Sequence, residues 1–416
     1  MPSPATGLLG LLLRVPAFGG LQYREFRLLL AAQFGNSMGI WMDQVARGWL
    51  LYDLTGSTVD LGLVSAVKVL PLLLLSPVAG TMADRYGRKT QLIVAQTLNA
   101  LANLILGTLV ISRRIEPWHV FATGFVVAVV QVFEVPARQA MISETVDRAH
   151  LTNAIGLMSM VFNVSRSLGP AVAGGLIAVM GPGGSYLVQA LIYAASTQWT
   201  VQLRVPDRPP VTSEAGRSFA ATTFAGWSYV VHHASIRSVL LVLALVGTFG
   251  MSFGTLLPVF ARDILQVGSA GQGFMLTAMG IGAIVASFLV ASFGETLPKG
   301  ALIVSAAAVY GLGVMLFAHS TAFPLSMLLM IGIGSANVTS ATLTQTVVQG
   351  HSSKEMRGRV MGVFQQNQIL ITLGSVLAGA LAATWTSQTA LTIMGAILSA
   401  SALGILFANP QIRRIR

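Results

Sequence analysis

The chain has no cysteine, so neither a disulfide framework nor a thiolate metal site is available to it, and cysteine usage says nothing of a redox compartment. Charge is the second scarcity. Asp, Glu, Lys and Arg make up 9% of 416 residues, where a water-soluble globule carries about a quarter. With 54% of residues hydrophobic, the chain is built to use a bilayer as its solvent. A phosphate-cradling G-x-x-x-x-G-K-[ST] loop is also missing: Lys89-Thr90 is the only Lys followed by Ser or Thr, and Arg88 stands where glycine is required. That excludes ATP-driven pumping by this chain alone. The six histidines show no H-E-x-x-H spacing and no nucleophile motif is present, so no metal, no cofactor and no enzymatic reaction is expected. No pore element repeats, which argues against a channel. The start Met1-Pro2-Ser3 lacks a basic region, and the apolar stretch 8–13 is short and followed directly by Arg14. These residues do not read as a signal peptide; 7–20 reads instead as an interfacial amphipathic segment.

What the chain does have is apolar runs of bilayer-spanning length. Six occupy 26–51, 61–82, 92–111, 120–135, 153–180 and 186–203; six more occupy 239–260, 271–293, 301–318, 323–346, 360–384 and 390–407. The interval 204–237 holds Pro206, Pro209, Pro210, four arginines, Asp207 and Glu214, so it reads as the long polar linker between halves, with 219–231 a short helix along the membrane surface. The expected layout is an N-terminal segment 1–25, a six-helix bundle 26–203, a linker 204–237, a second six-helix bundle 238–408 and a basic tail 409–416. An even number of spans puts both termini on one side. Most of the 25 Lys and Arg fall in the connections on that side, whereas the opposite loops hold only Arg113, Arg114 and Arg262. By the positive-inside rule both termini are cytoplasmic. The net charge of +11 is thereby a topology signal and implies no nucleic-acid partner. Leu168-Gly169 with Gly174 has a counterpart in Leu373-Gly374 with Gly379, a weak internal repeat that supports two related halves.

The stretch Gly80-Thr81-Met82-Ala83-Asp84-Arg85-Tyr86-Gly87-Arg88-Lys89 packs four charges between the second and third apolar runs. Its pattern, G-x-x-x-D-R-x-G-R-K, resembles the loop between the second and third helices of the major facilitator superfamily of secondary transporters. The resemblance implies an all-α membrane fold of twelve transmembrane helices in two pseudo-symmetric six-helix bundles, with substrate near the midplane. It also implies a switch role for Gly80, Asp84, Arg85, Gly87, Arg88 and Lys89, in which Asp84 latches the second span to the eleventh. An anion at a helix C-terminus needs such compensation. Gly169-Pro170-Ala171-Val172-Ala173-Gly174-Gly175 is similar to the Gly-Pro-rich motif of the superfamily's antiporters, with one residue more between Pro170 and the pair Gly174-Gly175. Packing alone is the other reading of these small residues. Trp41-Met42, the run 48–57 and Pro136-Ala137-Arg138-Gln139-Ala140 resemble the drug-efflux and enterobactin-exporter branch, although Asp43 and Arg47 stand where that branch has neutral residues.

Ionisable residues at membrane depth are costly and are functional candidates for that reason. Gln33, Asn36, Gly39, Asp43 and Arg47 recur at intervals of three and four, drawing one stripe down the first span. Lys68 lies mid-span in the second, Gln131, Glu134 and Arg138 form a stripe on the fourth, and Ser159, Asn163 and Arg166 another on the fifth. The second half offers neutral stripes: Thr248, Ser252 and Thr255; Asn337, Ser340 and Thr344; and Gln365, Gln368, Thr372 and Ser375. Gln96, Asn99 and Asn103 on the third span find no place in this scheme. The two carboxylates are either neutralised by Arg47 and Arg138 or titrate during transport.

The combined expectation is proton-coupled export of an amphipathic small molecule, drug-like or a siderophore, by a monomer in the bacterial inner membrane, with protons as coupling ion and lipid as surroundings. A facilitator or lipid flippase of the same fold is the alternative, and a non-transporting membrane sensor a different class.

Overall fold

A computed structural model describes residues 16–85, 87–205, 219–294, 297–353, 355–413 and 415, with backbone alone at 16–17, 76–85, 219–223 and 410–411. Every extended element among them is a helix. After a 3-10 turn at Pro16–Gln22 come α1 (Arg24–Thr55), α2 (Thr58–Arg85), α3 (Arg88–Ile111) and α4 (Pro117–Thr145). The next helix, Leu151–Val201, bends sharply at Gly181, whose φ of 71° only glycine adopts readily, so its arms 151–180 and 182–201 are α5 and α6. A short helix α7 (Phe219–His232) follows, as the sequence suggested, and then α8 (Ala234–Ile264), α9 (Gly268–Phe293), α10 (Lys299–Ala318), α11 (Phe323–His351), α12 (Arg357–Thr384) and α13 (Ser387–Ala408). Ten of these helices are long and apolar enough to cross a membrane, with α5 and α6 counted as one. The helix α1 has the length but is interrupted by its polar stripe. Twelve spans result, each overlapping one of the expected apolar runs, and the protein is an integral, multi-pass membrane protein.

The chain forms two compact units, Met1–Arg47 with Leu70–Glu214, and Gly48–Val69 with Ala215–Arg416. In the first, α3 packs against α4 and α6. Glycines set the approach: Gly107 meets Leu187 and Gly183 of α6, and Gly35 and Gly39 of α1 meet Ser196 and Tyr193. A cluster of Phe26, Leu29, Leu92, Met141, Leu157 and Leu203 closes one end of this unit. In the second unit, α10 packs on α11 and α13, and α9 on α11. The repeat seen in the sequence corresponds to matched contacts. Gly169 of α5 lies against Trp41 and Met42 of α1, and Gly374 of α12 lies against Thr248 and Ser252 of α8. Small residues let these backbones approach without a Cβ between them.

The second unit holds the irregular helices. Helix α8 passes through a π turn at Val246–Gly250, a 3-10 stretch at Met251–Leu256 and a second π turn at Phe260–Ile264. Pro258 cannot donate to the ladder, and the ladder beyond it widens, with the Leu265 N–H reaching the Phe260 carbonyl at 2.8 Å. Helix α12 breaks at Gln366, where Trp227 of α7 donates to the Gln366 side chain at 2.9 Å. Large apolar side chains such as Val179, Leu191, Phe288 and Phe407 point outward, and polar ones such as Asn36, Asn99, Gln189 and Ser252 point inward. This is the inverse of a soluble protein and follows from lipid as solvent.

Candidate functional site

The first unit gathers most of the expected charged residues. On α1, Asp43 and Arg47 lie one turn apart, and the guanidinium grips the carboxylate through two nitrogens, at 3.0 Å from Nε and 2.8 Å from Nη2. Its remaining nitrogen reaches α4, donating to the Val120 carbonyl at 2.7 Å and to the Thr123 hydroxyl at 2.9 Å. Gly124 sits against Arg47, and a side chain at that position would crowd the guanidinium. Arg47 is 1% exposed and Asp43 5%, so the pair is shielded from bulk solvent. In such surroundings the bidentate geometry and the two contacts to α4 are what make burial tolerable.

A second pair lies on α4 itself, where Arg138 donates to Glu134 at 2.7 Å and Glu134 is 1% exposed. Tyr193 of α6 is within electrostatic reach of all four charges, and Tyr186 within reach of Asp43 and Arg47. The pairs therefore share one neighbourhood bounded by α1, α4 and α6. Both tyrosines were missed by sequence reasoning, because an aromatic residue in an apolar run carries no periodic signal of its own. Arg166 of α5 stacks over the Trp41 ring at 5.4 Å. Gln33 donates to Ser37 at 2.8 Å, and Asn36 is 1% exposed. Asn163 is exposed and donates to the Ser159 carbonyl of its own helix.

Lys68 is half-buried and belongs to the second unit. There Asn337 is 5% exposed on α11, beside the buried Ser340 and Thr344, whereas Gln365 and Gln368 flank the break in α12 and are exposed. In the Gly-Pro stretch, Gly169, Pro170 and Gly174 are buried, and Gly175 has open space where a side chain would go.

In the charged loop, Gly80 lies on α2, and the side chains of Asp84 and Arg85 lie outside the described residues. Gly87 precedes α3 and is exposed. Arg88 pairs with Glu144 at the end of α4 at 2.5 Å, and Lys89 donates to the Leu203 carbonyl beyond α6 at 2.7 Å. Both cations thus tie helix ends together within the first unit. The Lys89 ammonium lies at the C-terminal end of α6, where a cation complements that helix's dipole.

A further cluster in the second unit was not foreseen. Tyr52 donates to Asp263 at 2.5 Å, and Arg262 pairs with Asp53 at 3.2 Å and lies over the Tyr52 ring at 5.6 Å. Nearby, the Thr58 hydroxyl donates to the Gly379 carbonyl at 3.0 Å, and Gly62 rests on the backbone of Ser375 and Val376. The segment 48–69 is thereby fastened to α8 and α12. Among the described residues no three His, Asp or Glu side chains converge as metal ligands.

With this geometry in view, the comparisons are specific. The Staphyloferrin A transporter of Staphylococcus aureus is 27% identical over 401 residues, covering 93% of this chain and 97% of the relative. The multidrug efflux pump Tap of Mycolicibacterium fortuitum is 26% identical over 365 residues, covering 85% and 87%. Among solved structures, the nucleoside transporter NupG matches with a TM-score of 0.73 at 13% identity, covering 93% of this chain and 100% of that one, which supports the fold. The family described as transmembrane secretion effectors matches residues 15–414. The chain belongs to this transmembrane secretion effector family, within the major facilitator superfamily of transporters, and is not an enzyme.

Proposed function

We propose that the protein is a secondary active exporter that moves an amphipathic small molecule, drug-like or a siderophore, outward in exchange for protons. The observation that carries this reading is the pair of carboxylates, Asp43 and Glu134, held at membrane depth at 5% and 1% exposure in one neighbourhood of the first unit. Ionisable groups are costly there, and a carboxylate whose arginine partner can be drawn toward substrate gains a reason to take up a proton. Export is supported by one relative named a multidrug efflux pump and by the Gly-Pro stretch around Gly169. Another relative is named a transporter of Staphyloferrin A, which supports a siderophore as a substrate class beside drug-like compounds.

The Lys and Arg distribution supports a bacterial inner-membrane location with both termini cytoplasmic. The switch role of the loop at Gly80 to Lys89, and the monomeric state, belong to the same proposal.

Reconstitution into liposomes with an internal acid load tests the reading. A proton exchanger dissipates the gradient when substrate is added. Flux insensitive to an uncoupler would instead make the protein a facilitator, and absence of flux across a broad panel of drugs, siderophores and lysolipids would make it a sensor.

A further inference from the structure

The polar residues of α3 that fit no expected cavity stripe lie inside the first unit. Gln96 is 2% exposed, Asn99 0% and Asn103 2%. They face a matching column on α6, where Ser185, Gln189, Ser196 and Thr200 are all 0% exposed. The Thr200 hydroxyl donates to Gln96 at 2.8 Å, which fixes the register at one end of the column. Gly107 against Gly183 and Leu187 fixes it at the other. Helix α1 completes the third side, because Gly35 abuts Ser196 and Gly39 abuts the Tyr193 ring. One turn along α3 from Gln96, Asn99 stands level with Ser196, and so does Asn36 on α1. From Thr200 to Gln189 the column rises roughly 16 Å, about half the hydrocarbon thickness. Its upper end is level with Asp43.

The column is underbonded for a buried polar seam. Asn36 and Asn99 each leave both the amide nitrogen and the amide oxygen without a protein partner, and the oxygens of Gln33, Asn103 and Gln189 and the Tyr186 hydroxyl are open as well. Buried polar groups are almost always hydrogen-bonded, and each open one costs about 1–3 kcal/mol. A bound cation would answer only the oxygens. Amides that lack both a donor and an acceptor partner call for a molecule that both accepts and donates, which is water.

We propose that the seam between α1, α3 and α6 binds a file of water molecules and that this file carries protons between the Gln96–Thr200 end and Asp43, apart from the substrate's own path. Its role in coupling rests on the proton-exchange reading given above; the hydration itself does not. The charged and titratable groups facing Asp43 are Arg47 on its own helix, Tyr186 and Tyr193 on α6, and through Tyr193 the Glu134–Arg138 pair on α4. A proton arriving along the file therefore meets Asp43 from the α6 side, opposite the contacts that Arg47 makes to α4.

Two measurements test this. In the wild-type protein, millisecond X-ray hydroxyl-radical footprinting labels residues beside bound water: Tyr186 and Tyr193 are expected to be modified although each is at most 1% exposed. Protection of both at the level of the buried Tyr310 overturns the hydrated seam, whatever the transport assay shows. The variant Asn99→Leu keeps the branched shape and heavy-atom count of the side chain and removes its open donor and acceptor. It is expected to retain substrate exchange at equal pH while gradient-driven transport falls at least about tenfold. Gradient-driven transport at the wild-type rate in that variant overturns the proton route. If the variant does not fold, Asn99→Ser, which keeps a polar site, is read instead: it must retain driven transport, and its loss overturns the route. Labelled tyrosines in a protein with proton-independent flux would retain the seam and refute the coupling reading.

Discussion

Tyr52 at the end of α1 donates its hydroxyl to Asp263 at the end of α8, residues separated by more than two hundred positions, with a heavy-atom distance of 2.5 Å. A hydrogen bond to a carboxylate is worth about 1.5–3 kcal/mol when buried, and less here because the Asp263 side chain is itself 46% exposed. The neighbouring Arg262–Asp53 pair is 41% and 51% exposed and contributes little by comparison. Tyr52→Phe and Asp263→Asn should each lower the thermal midpoint by a similar amount, and the double variant should be no worse than either alone. Arg262→Ala should shift it less. Additive losses in a double-mutant cycle would show that Tyr52 and Asp263 act independently.

The same contact predicts a change in access. On the side that we place outside, the segment 48–69 is fastened to α8 and α12 by Tyr52, Thr58 and Gly62. The cysteine-free chain is a ready background for single-cysteine labelling. A cysteine at Ser57, labelled by an impermeant maleimide on whole cells, should react faster once Gly62→Val forces α2 off the Ser375 backbone. An unchanged rate would mean that the fastening does not limit access from that side.

The buried Asp43–Arg47 pair separates stability from coupling. Removing one partner strands a charge in a buried site and costs about 3–5 kcal/mol, whereas replacing both by apolar residues of similar volume is often neutral. Asp43→Asn should therefore lower the thermal midpoint markedly, and Asp43→Leu/Arg47→Met should restore it. Transport by the folded double variant should lose its dependence on the pH gradient. Gradient-driven transport that survives in the double variant would reduce the pair to a structural device.

How legible this was in the sequence differs by feature. The spans were readable because hydropathy is a local, additive property, and the stripe from Gln33 to Arg47 because helical periodicity is local too. Partners were not readable. Arg262 reads as a lone cation in a loop, yet it pairs with Asp53 in a segment of the other half of the sequence. Arg88 belongs to the charged loop, and its partner Glu144 lies 56 positions away at the end of α4. The trio Gln96, Asn99 and Asn103 had a visible spacing and no visible purpose, because its meaning depends on which face of α6 lies opposite. The turn between α5 and α6 falls in the gap between the apolar runs 153–180 and 186–203, but nothing in the runs showed that Gly181 alone, with φ 71°, would carry the reversal.

The Gly-Pro stretch of α5 offers a test in which neighbouring positions give opposite answers. A Cβ at Gly169 would come within 2.7 Å of the Trp41 Cβ on α1, closer than real side chains approach, whereas Gly175 has open space around it. Packing Trp41 away also disturbs the ring beneath Arg166 and the turn that leads to Asp43. Overpacking of this kind typically costs about 1–3 kcal/mol. Gly169→Ala should therefore lower both thermal midpoint and transport, and Gly175→Ala should leave transport near wild type with a midpoint unchanged or slightly raised, because in a helix alanine is favoured over glycine by about 1 kcal/mol where space allows. If the stretch instead acts as a flexible element during the cycle, Gly175→Ala will raise the midpoint and still slow transport. The two readouts, taken on the same purified variants, decide between close packing and hinge motion as the reason for glycine at these positions.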